Sequence, residues 1–154
     1  MILVADCVPM LFFDPVQRAI GVAHAGWKGT LQCIAENTVM AMEKEFGSLA
    51  ENIVVGIGPS IGPCCYKVGP DIISQFENTF HTTKGLIVNK SDDGTGYLDL
   101  WKANLDQLIH AGIERSNIEL ARICTQDNSA LFFSYRHQQG DTGRFGAGIT
   151  LVSS

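Results

Sequence analysis

The chain has 154 residues, of which 45% are hydrophobic and 18% charged, and this composition predicts one globular domain over residues 1–154 and excludes a disordered chain. Eleven basic against sixteen acidic residues give a net charge of −5, which excludes a generic nucleic-acid-binding protein and a basic membrane-surface protein. No apolar run is long enough to span a membrane and no signal-peptide pattern is present, so we expect a cytoplasmic protein.

The first half of the chain predicts a hairpin, a helix and a buried strand. Apolar runs at residues 10–13 and 18–25 flank the turn residues 14–17, a pattern typical of an antiparallel hairpin. A helix over residues 30–46 follows and ends at Gly47. Its predicted buried stripe is Leu31, Ile34, Thr38, Met42 and Phe46. The β-branched run at 53–57 predicts a central strand covered on both faces.

The second half adds two helices and further strands. Pro70 marks the start of a helix that includes Ile73 and Phe76. Asp99 can cap another helix that ends at Gly112. The buried stripe predicted for that helix is Trp101, Leu105, Leu108 and Ile109. Runs at 118–124, 131–135 and 146–152 predict strands. Because strands outnumber helices without alternating with them, we predict an α+β fold of mixed β-sheets flanked by helices.

Cys7 and His24 are the first candidates for chemistry. The predicted hairpin between them brings both to the same end of the sheet. A thiolate and an imidazole meeting there could form a nucleophilic dyad or two of the three protein ligands of a catalytic zinc site. A structural role for each residue is the alternative, and spacing alone does not decide among these.

The segment 56–62 is rich in glycine and follows the predicted central strand. It matches the G-x-S-x-G pattern of serine hydrolases, but Pro63 and the break at 69–70 leave no room for the helix that such an elbow requires. We interpret the segment as a turn that lines a substrate pocket, with Ser60 as a donor, or simply as a tight turn.

An anionic substrate must be bound locally in so acidic a chain. Lys28, near the start of the first helix, and Arg136 and Arg144, near the end of the chain, are candidate phosphate contacts or ordinary surface charges. Trp27 and Tyr66 could stack on a purine, although aromatic residues beside glycine turns more often pack on the core.

Four motifs together resemble one family, the YfiH/YlmD family, whose members are described as multicopper polyphenol oxidases (laccase-domain proteins) or purine nucleoside phosphorylases. The resemblance spans nearly the whole chain. The motifs are Asp6-Cys7-Val8-Pro9, Ala23-His24-Ala25-Gly26-Trp27-Lys28-Gly29, Gly58-Pro59-Ser60-Ile61-Gly62 with Cys65-Tyr66, and Phe133-Ser134-Tyr135-Arg136 with Thr142-Gly143-Arg144.

The resemblance implies the YfiH/YlmD fold, similar to cytotoxic necrotizing factor. It also implies a zinc-dependent enzyme that phosphorolyses adenosine, inosine, guanosine and methylthioadenosine and deaminates adenosine. Cys7 and His24 match two of the three zinc ligands, and the third family ligand is a histidine upstream of the cysteine. Since the chain opens directly on the apolar run Ile2-Leu3-Val4, we expect a domain that lacks its N-terminal part.

Other residues are given minor roles. We expect His81, His110 and His137 to be structural or solvated, and His137 is the candidate among them for a substitute ligand. Cys64 and Cys65 are adjacent and are interpreted as packing residues. Lys67 stands where the family usually has Glu, a departure that could change the polarity of the pocket.

Three alternatives to the nucleoside hypothesis stay open. The first is a metal-free cysteine hydrolase or amidase with Cys7 as nucleophile and His24 as base. The second is an inactive fragment that binds partners through an uncovered surface. A copper-dependent polyphenol oxidase ranks below both, since one thiolate and one imidazole do not make a multicopper cluster.

Overall fold

The computed structural model describes residues 1–80 and 84–152. In chain order, its elements are β1 (Ile2–Val4), β2 (Val8–Asp14), β3 (Ala19–Ala25), α1 (Trp27–Leu31), α2 (Ile34–Phe46), β4 (Val54–Ile57), β5 (Lys67–Val68), α3 (Pro70–Thr79), β6 (Ile87–Val88), β7 (Gly96–Leu98), α4 (Leu100–His110), β8 (Ile118–Leu120) and β9 (Phe145–Ala147). Short 3₁₀ turns, Ala50–Asn52 and Arg115–Asn117, precede β4 and β8.

The central sheet has four strands in the order β3-β2-β4-β8. β2 pairs antiparallel with β3 and β4, whereas β4 and β8 are parallel, so the predicted mixed pairing is confirmed. The predicted hairpin is confirmed as well. At its turn the carboxylate of Asp14 accepts hydrogen bonds from the N–H groups of Val16 and Gln17, at 2.8 and 3.1 Å, which satisfies two amides that the strand ladder leaves unpaired.

One face of this sheet packs on α2, which in turn contacts α4, and the core includes Val8, Met10 and Phe12 of β2. The predicted helix over 30–46 is wrong in one respect, because it is broken into α1 and α2 at Cys33, whose φ is 54°. The break resets the helical phase. As a result α2 buries Ala35, Val39 and Met42, and the predicted core residue Phe46 is 53% exposed.

Helix α4 buries Leu108 and packs Trp101 and Leu105 against the core, as predicted, but its buried face is also partly polar. Asn104 donates to the hydroxyl of Thr30 at 3.1 Å, and Gln107 donates to the Thr30 carbonyl at 2.7 Å. These bonds give both buried NH₂ groups a partner, whereas the buried Gln107 Oε1 has none among the described residues. Ile109 lies on the opposite side of the helix and is 44% exposed. The predicted caps are confirmed: Asp99 accepts from the Lys102 N–H at 2.9 Å. Gly47 ends α2 in the left-handed conformation.

The last third of the chain has less strand than predicted. Within the described residues of this third, Ile118–Leu120 and Phe145–Ala147 are the strands, and Cys124 makes an isolated bridge. β9 joins β1 in a separate two-stranded sheet. Residues 131–135 form turns because their amides bond locally, as when Phe132 N–H donates to the Asn128 carbonyl at 3.1 Å. The central strand begins at Val54, which is 44% exposed, so burial on both faces does not extend to its first residue.

A third small sheet, in the order β5-β7-β6, packs beside α3. None of the helices in residues 1–80 and 84–152 combines the length and the hydropathy needed to cross a lipid bilayer.

Candidate active site

The hairpin register fixes the positions of Cys7 and His24. Val8 pairs with Ala25 and Pro9 with His24, so Cys7 lies opposite Gly26, one step beyond the ladder. Because side chains alternate between the faces of a sheet, Cys7 and His24 share one face at one end of the hairpin. Sequence reasoning placed them there, and their roles stay a prediction.

Gly26 makes room for the thiol. A Cβ atom on Gly26 would lie only 2.9 Å from Cys7 Sγ, so the sulfur sits directly over the glycine backbone. Any larger residue at position 26 would push the thiol away from its place beside α1.

The environment of Cys7 keeps its thiol protonated. Burial raises its pKa, the neighbouring Asp6 carboxylate raises it further, and the Arg144 guanidinium partly opposes both. A nucleophilic cysteine needs the reverse balance, so the site without a metal does not favour a dyad. His24 is exposed, and its imidazole has no hydrogen bond or ion pair within the described residues, which leaves its nitrogens available to a ligand.

Asp6 joins the hairpin to two distant loops, and sequence reasoning missed it. It is buried, with φ at 77°, and its two carboxylate oxygens accept from Thr125 Oγ1 and from the Arg136 N–H, each at 2.6 Å. Its carbonyl accepts from the Ile61 N–H at 2.9 Å. The place of Asp6 immediately before Cys7 was the signal that could have identified it.

Tyr66 and Arg136 pack against each other close to Cys7. The guanidinium of Arg136 lies 5.1 Å from the centroid of the Tyr66 ring and donates to the Lys67 carbonyl at 2.7 Å. Burial raises the pKa of Tyr66 to about 12, against the opposing charge of Arg136. The phenol is therefore a hydrogen-bond donor at neutral pH.

The predicted cations lie in different settings. Arg144 donates to the carbonyls of Thr142 and Gly143, at 3.0 and 2.8 Å, and its charge acts on Cys7. Lys28 is exposed on α1 with Nζ 5.4 Å from the Trp27 ring, and it lines a cleft of about 450 Å³ between α1 and α3. Of the two, Arg144 is the cation that the electrostatics connect to the thiol.

Ser60 is buried and its hydroxyl is occupied within the protein. It accepts from Trp101 Nε1 at 2.7 Å and approaches the Gly58 carbonyl at 3.3 Å. Its backbone bridges to Cys124 beyond the end of β8. The predicted turn at 58–62 is wrong in position: the chain bends at Pro59, Ser60 pairs with Cys124, and the turn follows at residues 63–65. Ser60 holds the segment 58–62 against α4.

The prediction that Cys64 and Cys65 only pack was wrong. The two thiols donate separately to the two carboxylate oxygens of Asp127, at 3.1 and 3.0 Å. With Cys124 they form a group of four ligand atoms that all lie within 4.8 Å of one another, and such a group could hold a metal ion. Adjacent cysteines can converge here because residues 63–65 form a turn, in which side chains do not alternate as they do in a strand.

The remaining histidines lie apart from these groups. His110 is exposed at the end of α4, 3.9 Å from Glu36, and His137 is exposed in the loop after Arg136. His81 lies outside the described residues. In the described part of the chain, the cluster of Cys64, Cys65, Cys124 and Asp127 is the one set of three or more potential metal ligands that lie this close together.

Comparison with known proteins gives the family. The family model for multi-copper polyphenol oxidoreductase laccase matches residues 1–152. The chain belongs to this family, as the sequence motifs predicted.

Two relatives and one solved structure illustrate the similarity. A protein of Bacteroides thetaiotaomicron named purine nucleoside phosphorylase is 39% identical, over 96% of this chain and 54% of its own length. Adenosine deaminase RL5, from an unknown prokaryotic organism, is 32% identical, over 94% of this chain and 55% of its own. The crystal structure of Bacillus licheniformis hypothetical protein YfiH has a TM-score of 0.87 at 40% identity, covering 92% of this chain and 53% of that one. The chain thus spans about half the length of these relatives.

Proposed function

We propose that the protein is a zinc-dependent purine nucleoside phosphorylase of broad specificity that also deaminates adenosine. Relatives bearing those two names support an enzyme of this type. The observation that carries the proposal is the placement of Cys7 and His24 on one face of the sheet end, with the charge of Arg144 acting on the thiol.

The residues present fit a zinc ion in donor type. Thiolate and imidazole are both ordinary zinc ligands, and the His24 nitrogens are available. The raised pKa of Cys7 is no obstacle, since a bound cation replaces the thiol proton. Zinc held there would supply a Lewis acid and lower the pKa of a water molecule. The third protein ligand is not assigned among the described residues.

The protein's own groups would then bind and orient the substrates. We assign phosphate binding first to Arg144, since a guanidinium matches an oxyanion in geometry and charge, with Lys28 as a second contact. The protonated phenol of Tyr66 can donate to a nucleoside hydroxyl or ring nitrogen. Ser60 would shape the pocket through the segment 58–62, which it holds against α4.

Two reactions follow from these assignments. In phosphorolysis a phosphate oxygen bonds to C1′ of the ribose, the bond from C1′ to the base breaks, and the purine leaves with a proton. In deamination water adds at C6 of adenine and ammonia leaves, which gives inosine. Copper-dependent phenol oxidation remains the lower-ranked alternative.

The test is product analysis with adenosine, phosphate and added Zn²⁺. We expect the wild-type chain to form both adenine and inosine. When phosphate is omitted, adenine formation should stop and inosine formation should continue. Cys7→Ser and His24→Gln should abolish both products. Cys33→Ser and His110→Gln remove the same residue types elsewhere in the chain, and both variants should still form both products. Absence of both products, or full activity in Cys7→Ser, would contradict the proposal.

A further inference from the structure

We propose that Cys64, Cys65, Cys124 and Asp127 bind one zinc ion at a site separate from Cys7 and His24. The bound ion would clip the turn of residues 62–66 to the turn of residues 124–128.

The donor set is that of a structural zinc site. Three sulfurs and one carboxylate oxygen make four ligands, the number that closed tetrahedral sites use, and thiolates select zinc over magnesium or calcium. With Zn–S bonds near 2.3 Å, ligand sulfurs in a tetrahedron lie ~3.8 Å apart. The four ligand atoms here already lie within 4.8 Å of one another, so the group must contract only slightly.

The backbone holds these ligands in place without an ion. Cys124 is buried, and its Sγ accepts from the Gly62 N–H at 3.4 Å. The Cys65 N–H donates to the Gly62 carbonyl at 3.0 Å, and the Asn128 N–H donates to the Cys124 carbonyl at 3.0 Å. Both turns are therefore closed by their own hydrogen bonds, which reduces the ordering cost of binding.

The Asp127 carboxylate already contacts the thiols of both Cys64 and Cys65. Each of its oxygens accepts from one S–H group, so the carboxylate occupies the point toward which both sulfurs aim. Zinc would replace these two protons, and the Cys124 thiol would release its proton to solvent as well, so that all three sulfurs bind as thiolates. Cys64 is exposed, which gives the ion a path from solvent.

The bound ion would also stabilise the candidate active site, because a residue within or next to each turn contacts Asp6, the residue before Cys7. The first turn follows Ile61, whose N–H donates to the Asp6 carbonyl, and the second contains Thr125, whose hydroxyl donates to the Asp6 carboxylate. An ion joining the two turns would therefore fix two of the three hydrogen-bond partners of Asp6, the residue that precedes Cys7. Nothing in this site requires the proposed nucleoside chemistry.

The experiment is zinc titration of the reduced, metal-free full chain, read by metal analysis after desalting and by thermal unfolding. The background is Cys7→Ser, which removes a ligand of the other candidate site. We expect this variant to retain one zinc per chain and to unfold at a higher temperature with Zn²⁺ than without it. Cd²⁺ should give thiolate charge-transfer absorption in the same variant.

The matched variant is Cys7→Ser/Cys64→Ser. Because Cys64 is exposed, this change preserves packing, and circular dichroism should match that of the background. Its zinc affinity should fall by at least the 10–100-fold that loss of even an outer-shell partner costs. Cys7→Ser/Cys33→Ser removes a thiol outside the cluster and should bind as the background does.

Two outcomes would overturn the site. One is a Cys7→Ser chain with free thiols that binds no zinc at micromolar Zn²⁺, even if the wild type binds one ion at Cys7 and His24. The other is equal zinc affinity in the Cys64→Ser variant. The nucleoside proposal is tested separately by product formation, so the two can fail independently.

Discussion

The carboxylate of Asp6 accepts a 2.6 Å hydrogen bond from the hydroxyl of Thr125, a residue 119 positions further along the chain. Both groups are buried, and the other carboxylate oxygen takes the Arg136 N–H at the same distance. A single side chain thereby ties the front of the hairpin to two loops of the last third of the protein.

Asp6→Asn should lower the free energy of unfolding by about 2–4 kcal/mol, since two hydrogen bonds to a charged group are weakened and an amide NH₂ faces a donor. Asparagine tolerates the left-handed backbone at this position, so the change tests the carboxylate and not the turn. Urea denaturation measures the loss. Asp71→Asn, at the exposed start of α3, is the control and should change stability by less than about 0.5 kcal/mol. Equal effects at the two positions would contradict the assigned role of Asp6.

Ser60→Ala should cost about 1–3 kcal/mol, because it leaves the indole N–H of Trp101 without its partner. Ser74→Ala, in the exposed part of α3, should be neutral or slightly stabilising. Thermal unfolding compares the two variants. If Ser60→Ala kept full stability and lost nucleoside turnover, Ser60 would act on the substrate and not as an anchor of the segment 58–62.

Gly62→Ala should destabilise the protein by about 1–3 kcal/mol through overpacking. A Cβ at this position would lie 2.7 Å from the Trp101 ring and 3.1 Å from Cys64 Sγ. Gly56→Ala is the matched control, since nothing lies within 4 Å of its added Cβ. Denaturant midpoints distinguish them, and a Gly62→Ala chain as stable as Gly56→Ala would show that the turn is not tightly packed.

The stability of the fold should fall at alkaline pH in part because of Tyr66. Burial, together with the Cys7 and Asp6 charges, raises its pKa to about 12 from the ordinary value of 10.0, while the Arg136 charge opposes the rise. The phenol is neutral in both folded and unfolded chains below pH 10, and above it only the unfolded chain ionises freely. Stability should thus decline between pH 10 and 12. Tyr66→Phe should weaken this decline, measured by urea denaturation across that range, and an unchanged slope would contradict the assignment.

The sequence predicted those elements whose signals are local. The hairpin turn at Asp14, the cap at Asp99 and the left-handed end of α2 at Gly47 depend on neighbouring residues, and all three were placed correctly. The break at Cys33 was missed because nothing in its side chain favours a positive φ. The buried face of α4 was missed for another reason: Asn104 and Gln107 look like solvent-facing residues until Thr30 is beside them.

The site divides in the same way. Cys7 and His24 follow from the hairpin register, which a turn motif and two apolar runs determine. The group of Cys64, Cys65 and Asp127 depends on contacts 62 and 63 residues apart in the chain, which no spacing rule reveals. Asp6 was missed for the same reason, since its partners lie 119 and 130 residues away.

These long separations also bear on the order of folding. The hairpin of β2 and β3 closes a loop of only a few residues, whereas the contacts of Asp6 require nearly the whole chain, and each doubling of loop length adds about 0.6 kcal/mol of closure entropy. A nascent chain should therefore pair Pro9 with His24 well before it forms the contacts of Asp6 with Thr125 and Arg136. The contact between Asp6 and Arg136, like the pairing of β1 with β9, then forms late, and a ribosome-bound chain that stops short of residue 136 would have the hairpin but not the enclosed thiol.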